Sequence, residues 1–152
     1  MPLIHDNQLK ALLKDTNAVS KDLLAEAETE ARAGGKRLRD VLLNKGIIKE
    51  EELHRLEAYI LGIPYVDLEK ETISPEILNI IPEPIAKKNN IVAYKKDGKD
   101  LHVAMLDPED IQTIEFIKKK AGLRILPRLT NTDSIKNVLR QYQKSLAAEF
   151  SE

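Results

Sequence analysis

The strongest constraint on the fold of this chain is an internal repeat. When the sequence from Leu9 is placed over the sequence from Leu38, at a constant offset of 29 residues and without gaps, apolar residues fall on apolar residues. The matched pairs are Leu9 with Leu38, Leu12 with Val41, Leu13 with Leu42, Val19 with Ile48, and Leu24 with Leu53. A repeat of this length is typical of one supersecondary unit that is used twice.

Each repeat is predicted to be a helix, a tight turn and a second helix. Asn17 falls opposite Gly46, and both residue types tolerate the left-handed backbone that ends a helix. Asp6 and Ser20 are the predicted N-caps of the two helices in the first repeat. Because one amphipathic pair cannot bury its own apolar stripe, the four helices are expected to form a small bundle. Two unrelated helical hairpins would give a similar pattern and remain an alternative.

After Gly62 the sequence changes to shorter elements. Ser74-Pro75 and Pro82-Glu83 are predicted to start two short helices. Two strand-like segments, Ile91 to Tyr94 and Leu101 to Leu106, then flank an Asp97-Gly98 turn, which predicts a β-hairpin.

A helix, a strand and a further helix are predicted to follow the hairpin. Asp107 is the expected N-cap of the first helix, with Pro108 as its first residue and Gly122 as its end. The strand covers residues 123–129, where Pro127 indicates a sheet edge or a bulge. Asn131 or Thr132 is expected to cap the last helix.

These elements together predict an α+β fold. It consists of an N-terminal four-helix bundle of two helix-turn-helix repeats, followed by a small α/β unit with a three- to four-stranded sheet. We expect a helical subdomain over residues 1–62, an α/β subdomain over 63–146, and a tail or linker start over 147–152.

Composition excludes several classes of protein. Hydrophobic residues make up 42% of the chain and charged residues 32%, which is typical of a globular protein rather than a disordered one. The chain has no cysteine, so disulfides, thiolate zinc sites and cysteine nucleophiles are excluded. Without a signal-peptide pattern or a long apolar segment, the expected location is the cytoplasm.

No enzymatic motif is recognisable. The Gly34-Gly35-Lys36 segment lacks the first glycine and the hydroxyl of a phosphate-binding Walker loop, and it is interpreted as a helix end. His5, His54 and His102 are too far apart for a zinc pattern and are expected at surface or edge positions. The sequence therefore predicts no catalytic residue, no metal site and no cofactor.

A nucleic-acid partner is not expected either. The 24 Lys and Arg residues are balanced by 25 Asp and Glu residues. Lys118-Lys119-Lys120 lies in the predicted last turn of a helix, where positive charge is favourable, and no aromatic residues are interleaved with it.

Several segments resemble one family. Together they are similar to the N-terminal domain, called MshEN, of type II secretion and type IV pilus assembly ATPases of the GspE and PilB group. The resemblance covers roughly residues 9–142, and the run ending at Leu68 is its most specific part. The segments are Arg37-Leu38, Val41 to Leu43, Gly46 to Ile48 with Leu53, Leu61 to Leu68, and Val103 to Pro108.

The resemblance implies a docking function. In this family the domain precedes a hexameric motor domain and attaches the ATPase to a membrane platform or its cytoplasmic adaptor. The expected partners are therefore that platform or adaptor protein and the motor domain of a longer parent, with no direct insertion into the membrane. The chain would be either a piece of a longer ATPase or a free-standing relative of its first domain, peripheral to the inner membrane through its partners.

Some family members bind cyclic di-GMP through two tandem motifs, and this gives the alternative function. The second repeat keeps most of the motif but has Arg39 at a glycine position and Ile60 at a glutamine position. The first repeat has Gln8 at the arginine, Lys10 at the glycine, Asn17 at the inner glycine and Ala31 at the glutamine. Glycine permits close approach of a ligand and glutamine supplies amide hydrogen bonds, so cyclic di-GMP binding is possible but is not the favoured interpretation.

The candidate ligand site implied by the resemblance lies in the second repeat. Arg37 and Arg39 could together hold a phosphate, although two surface arginines are the favoured interpretation. The candidate ligand-binding residues are Arg37, Leu38, Arg39, Leu42, Gly46 and Leu53.

Overall fold

The computed structural model describes residues 4–107 and 109–150, with side chains described as far as Gln143. In this part of the chain it has eight helices and three strands, which confirms the predicted α+β class. Contacts divide the chain into two compact units, one ending at Gly62 and the other beginning at Ile63. The helices are α1 (Asp6–Thr16), α2 (Lys21–Gly34), α3 (Leu38–Asn44), α4 (Glu50–Leu61), α5 (Pro75–Leu78), α6 (Glu83–Asn89), α7 (Ile111–Ala121) and α8 (Thr132–Phe150). The strands are β1 (Ile91–Asp97), β2 (Asp100–Met105) and β3 (Arg124–Leu129).

The first unit contains α1 to α4 around one aliphatic core. The repeat pattern placed these helices correctly, and Asn17 and Gly46 both adopt the predicted left-handed backbone, with φ of 54° and 67°. Leu12 is only partly buried, in contrast to its repeat partner Val41. The core consists of Leu9, Leu13, Val19, Leu24, Ala27, Ala31, Leu38, Val41, Leu42, Ile48 and Leu53.

Two predicted caps of this unit have different outcomes. Ser20 caps α2, since its hydroxyl accepts a hydrogen bond from the Leu23 amide at 3.3 Å. The prediction for Asp6 was wrong, because α1 begins at Asp6 itself with His5 as the N-cap residue. The Asp6 carboxylate instead accepts from the amide of Leu38 at 3.2 Å, so it stabilises the first turn of α3.

The second unit contains a three-stranded sheet in the order β1-β2-β3. β1 and β2 are antiparallel, and β2 and β3 are parallel with α7 between them. The hairpin turn is present one position later than predicted, with Gly98 and Lys99 between paired Asp97 and Asp100. Helices α5, α6 and α8 pack on β1.

The start of α7 differs from its prediction. Its N-cap is Asp110, whose carboxylate accepts from the Thr113 amide at 3.3 Å and from the Thr113 hydroxyl at 2.7 Å. Asp107 instead accepts from the Glu109 amide at 2.9 Å in a turn before the helix. The predicted role of Pro108 concerns a position outside the described residues. Pro127 lies on the edge strand β3, as expected.

Polar side chains of α8 hold the segment that follows Ile63. Asn131 caps α8 by accepting from the Ser134 amide at 2.7 Å, as predicted. The Ser134 hydroxyl accepts from the Leu68 amide at 2.8 Å, and Asn137 donates to the Leu68 carbonyl at 2.7 Å. The Leu61 to Leu68 run singled out in the sequence is thus fixed against the last helix at its end.

Candidate functional site

The three leucines of the candidate site belong to the core of the first unit. Leu38, Leu42 and Leu53 are at most 2% exposed and lie in one cluster with the other repeat leucines. Their positions serve packing of the four helices.

Gly46 shapes the turn between α3 and α4. Its φ is 67°, a backbone conformation that side chains with a Cβ rarely adopt. A Cβ placed there would meet no heavy atom within 4 Å. The glycine is therefore required by the backbone of the turn and not by a closely approaching neighbour.

Arg37 lies where the starts of α1 and α3 meet. It is the N-cap residue of α3, and its Nη2 donates to the Ile4 carbonyl at 3.5 Å. The side chain is half-buried. Arg37 thus contributes to joining the two repeats, in addition to any role toward a ligand.

Arg39 makes a two-point ion pair with Glu57 of α4. Its Nε donates to Oε2 at 2.9 Å and its Nη2 donates to Oε1 at 3.1 Å, while Nη1 donates to Asp40 at 3.2 Å. The Arg39 side chain is 18% exposed and the Glu57 side chain 1%. The sequence favoured two surface arginines, but Arg39 is largely buried because a fully buried carboxylate needs a charged partner.

His54 lies beside this pair, and the prediction of a surface or edge position was wrong for it. It is 3% exposed, and its Nδ1 is 3.6 Å from Glu57 Oε1, beyond hydrogen-bond distance. Burial lowers the pKa of His54, an effect that nearby Arg39 adds to, whereas Glu57 and Glu50 act in the opposite direction. His54 is therefore expected to be neutral at neutral pH.

The first repeat contains an equivalent ion pair at the matching positions of the repeat. Lys10 of α1 lies 2.8 Å from Glu28 of α2, and the repeat offset carries Lys10 onto Arg39 and Glu28 onto Glu57. The hydrogen bond from Lys10 holds the pKa of Glu28 below its ordinary value. This pair is more exposed, at 30% for Lys10 and 20% for Glu28. In each repeat, then, a basic residue at the motif's glycine position is paired with a glutamate of the next helix.

The sequence contained a signal for both pairs. The predicted repeat rested on its apolar residues and on the turn at Asn17 and Gly46, and the glutamates at positions 28 and 57 were not part of it. At the offset used for the leucines they align with each other, as do the two basic residues.

An open groove lies beside the first pair, between α1 and α2. Its volume is about 530 Å³, and Lys10, Lys14, Lys21, Leu24 and Glu28 contribute to its walls. Three lysines against one glutamate give it a positive charge. Such a groove can attract an anion, but it brings together no nucleophile and base.

Metal sites and membrane-spanning helices are both absent from the part of the chain that the structure describes. Among them, no group of three or more His, Asp or Glu side chains is placed to hold a metal ion. In the same part of the chain, no helix has the length and apolar character needed to cross a membrane.

The amino-acid sequence matches the MshEN domain family over residues 61–149. It is 28% identical over 135 residues to the type IV pilus assembly ATPase PilB of Myxococcus xanthus, which covers 89% of this chain and 24% of that protein. The PilB of Thermus thermophilus is 29% identical over 126 residues, which are 80% of this chain and 14% of that protein. The chain thus spans a quarter or less of the length of these relatives.

Two solved structures are similar in fold. A structure of MshE with cyclic di-GMP has a TM-score of 0.74 and 24% identity, and the match covers 88% of this chain and 97% of the MshE chain. The N-terminal domain of XpsE has a TM-score of 0.67 and 19% identity, with 93% and 98% covered. At these identities the likeness establishes the α+β arrangement alone.

Proposed function

We propose that this chain, which belongs to the MshEN domain family, is a non-enzymatic docking domain that recruits a pilus or secretion ATPase to its membrane platform or adaptor. The chain is the N-terminal type of domain found in PilB and GspE ATPases and not their catalytic domain. Its place of action would be the cytoplasmic side of the inner membrane, which it would reach through its partners, with the motor domain as a further partner.

The repeated ion pair is the observation that favours a docking function over a nucleotide-sensing function. Arg39 directs two donors to Glu57 and a third to Asp40, so its guanidinium is already hydrogen-bonded to carboxylates of the protein. Lys10 is paired with Glu28 at the equivalent position. A phosphate ligand would have to compete with these carboxylates for both basic residues.

Docking is tested by titrating the chain with the purified cytoplasmic domain of the platform or adaptor from the same machine. We expect a saturable complex with a defined stoichiometry. If neither the platform nor the adaptor domain forms a complex with the correctly folded chain, the docking function is wrong.

Cyclic di-GMP binding is the second candidate, and the basic groove between α1 and α2 favours it. Lys10, Lys14 and Lys21 line that groove, and Arg37 lies at the start of α3 in the same unit. A structure of MshE, similar in fold, contains this nucleotide. The pairing of Lys10 with Glu28 weakens the candidate because it neutralises one of the three lysines.

A calorimetric titration with cyclic di-GMP separates the two candidates. ATP and GTP serve as control ligands and Arg37→Ala as the variant. Micromolar binding that is lost in the variant would support a receptor function. The absence of heat and of any thermal shift would remove this candidate and leave the docking function.

A further inference from the structure

A second groove lies in the other unit, between α6 and α7. Its volume is about 420 Å³, within the range of roughly 300–1,000 Å³ that is typical of ligand pockets. Its apolar wall consists of Pro84, Ile85 and Phe116, and its polar wall includes Lys88, Asn89 and Gln112.

Phe116 is the unusual residue of this groove. Its side chain is 51% exposed, in a chain that has only two phenylalanines and no tryptophan. On the same helix, Ile117 is 2% exposed and Thr113 is 9% exposed, so α7 buries a threonine while it leaves an aromatic ring in solvent. An exposed aromatic ring at the edge of an apolar groove is typical of an anchor position in a protein interface.

Two lysines lie at the groove, Lys88 and Lys120. Helices α6 and α7 together carry five lysines and two glutamates, all of them exposed. Lys88 is part of the groove wall, and the Lys120 Nζ lies 6.0 Å from the centre of the Phe116 ring. Among the described residues, no acidic side chain lines the groove.

We propose that this groove docks an acidic segment of the platform or adaptor, with one apolar side chain packed against Phe116 and carboxylates facing Lys88 and Lys120. The proposal rests on the docking function and assigns it a surface. Charge complementarity chiefly accelerates the encounter of separate molecules and selects between them. A domain already tethered to the groove by its own chain would gain little from that effect, which favours a separate protein over the motor domain as the occupant.

The test compares matched variants in a titration of the whole chain with the platform or adaptor domain. Phe116→Ser removes the anchor, and Tyr59→Ser removes an aromatic ring that is 77% exposed in the first unit. Lys88→Glu reverses a charge at the groove, and Lys96→Glu makes the same change of net charge in the β1–β2 hairpin.

We expect Phe116→Ser to weaken the complex about 30-fold, as loss of an interface anchor does, with Tyr59→Ser unchanged. Lys88→Glu should slow association at low salt, and the difference from the parent should shrink at high salt, whereas Lys96→Glu should behave as the parent.

Three outcomes would overturn the groove as the docking site. Tight binding by both groove variants would show that another surface binds the partner, and the docking function would stand. No binding by the parent would overturn the docking function and this proposal with it. If Lys88→Glu abolished sedimentation with phosphatidylglycerol vesicles while the partner complex stayed intact, the groove would be a lipid-headgroup site instead.

Discussion

The two ion pairs of the repeats differ in burial and in the number of cations, since Glu28 also accepts a hydrogen bond from Arg32 at 2.6 Å. Glu57 is almost completely removed from solvent, whereas Glu28 and Lys10 keep contact with water. A buried carboxylate that loses its partner cannot be stabilised by solvent, while an exposed one can. Removal of the basic residue should therefore reduce stability more in the second repeat than in the first.

Arg39→Ala is expected to lower the free energy of unfolding by about 2–4 kcal/mol, because it leaves the Glu57 carboxylate buried without its cation. Lys10→Ala should have a much smaller effect. Urea unfolding followed by circular dichroism measures both. A double variant, Arg39→Leu with Glu57→Leu, should recover most of the loss, since it removes the charge along with its partner. Equal losses for the Arg39 and Lys10 variants would contradict this explanation.

His54 is expected to make stability depend on pH. Burial lowers its pKa in the folded chain, so the unfolded chain binds the proton more readily. The contribution of His54 to stability should be complete above the ordinary histidine pKa of about 6.5, which applies to the unfolded chain. It should be lost as the pH is lowered from this value to the lower pKa of the folded chain.

His54→Gln should flatten this dependence between pH 7.5 and pH 6, measured by urea unfolding at each pH. His102, whose pKa is also lowered, mainly by burial, gives a comparison at a second position. His102→Gln should leave the His54 part of the dependence in place. If the stability of the parent and that of the His54→Gln variant changed with pH in parallel, the prediction would be wrong. The histidine would then be paired or solvated in the folded chain.

At the scale of elements, the start of α7 depends on a choice between two aspartates. Proline is favoured at the first helical position, and this favoured Asp107 as the cap in the sequence. Asp110 prevails in the structure because its carboxylate bonds both the amide and the hydroxyl of Thr113, which α7 buries.

Asp110→Ala is expected to destabilise the chain by about 1–2 kcal/mol, as loss of an N-cap usually does. Asp107→Ala should cost less, since the Asp107 carboxylate accepts from the Glu109 amide in a turn outside the helix. Thermal unfolding of the two variants side by side decides between the caps. A larger loss for Asp107→Ala would restore the cap predicted from sequence.

The sequence predictions were correct for features that depend on residues close together in the chain. Asn17, Gly46, Ser20 and Asn131 were placed correctly because caps and turns depend on a few neighbouring residues. The parallel pairing of β2 with β3 had no local signal. The pairing of Arg39 with Glu57 was missed for a different reason, since the repeat was identified from apolar and turn positions and not from charged ones.

At the scale of the molecule, each of the two units has its own core. The first unit is closed by contacts of shorter range, across 18 residues within each hairpin for Lys10 with Glu28 and Arg39 with Glu57, and across 32 residues between the hairpins for Asp6 with Leu38. The second unit is closed by bonds that join the 66–73 segment to α8, across 66 residues for Leu68 and Ser134 and 68 for Ile73 and Gln141.

Residues 1–62 are accordingly predicted to fold without the rest of the chain. The isolated segment should show a helical circular dichroism spectrum and cooperative thermal unfolding, because its eleven core residues all lie within it. Leu42→Asp in the same segment is the control and should abolish cooperativity by placing a charge in that core. A segment that stays unfolded while the whole chain folds would reject the boundary after Gly62.

The difference in loop length between the units has a consequence for synthesis. Contacts that close short loops lose little chain entropy and form quickly, whereas contacts across more than sixty residues must wait for both ends. On the ribosome, the two hairpins can pair and fold as soon as they emerge. The strands of the second unit can pair once β3 has emerged, but the side of β1 on which α8 packs stays uncovered until that helix has left the exit tunnel. This apolar surface is the part of the nascent chain that most needs protection by a chaperone.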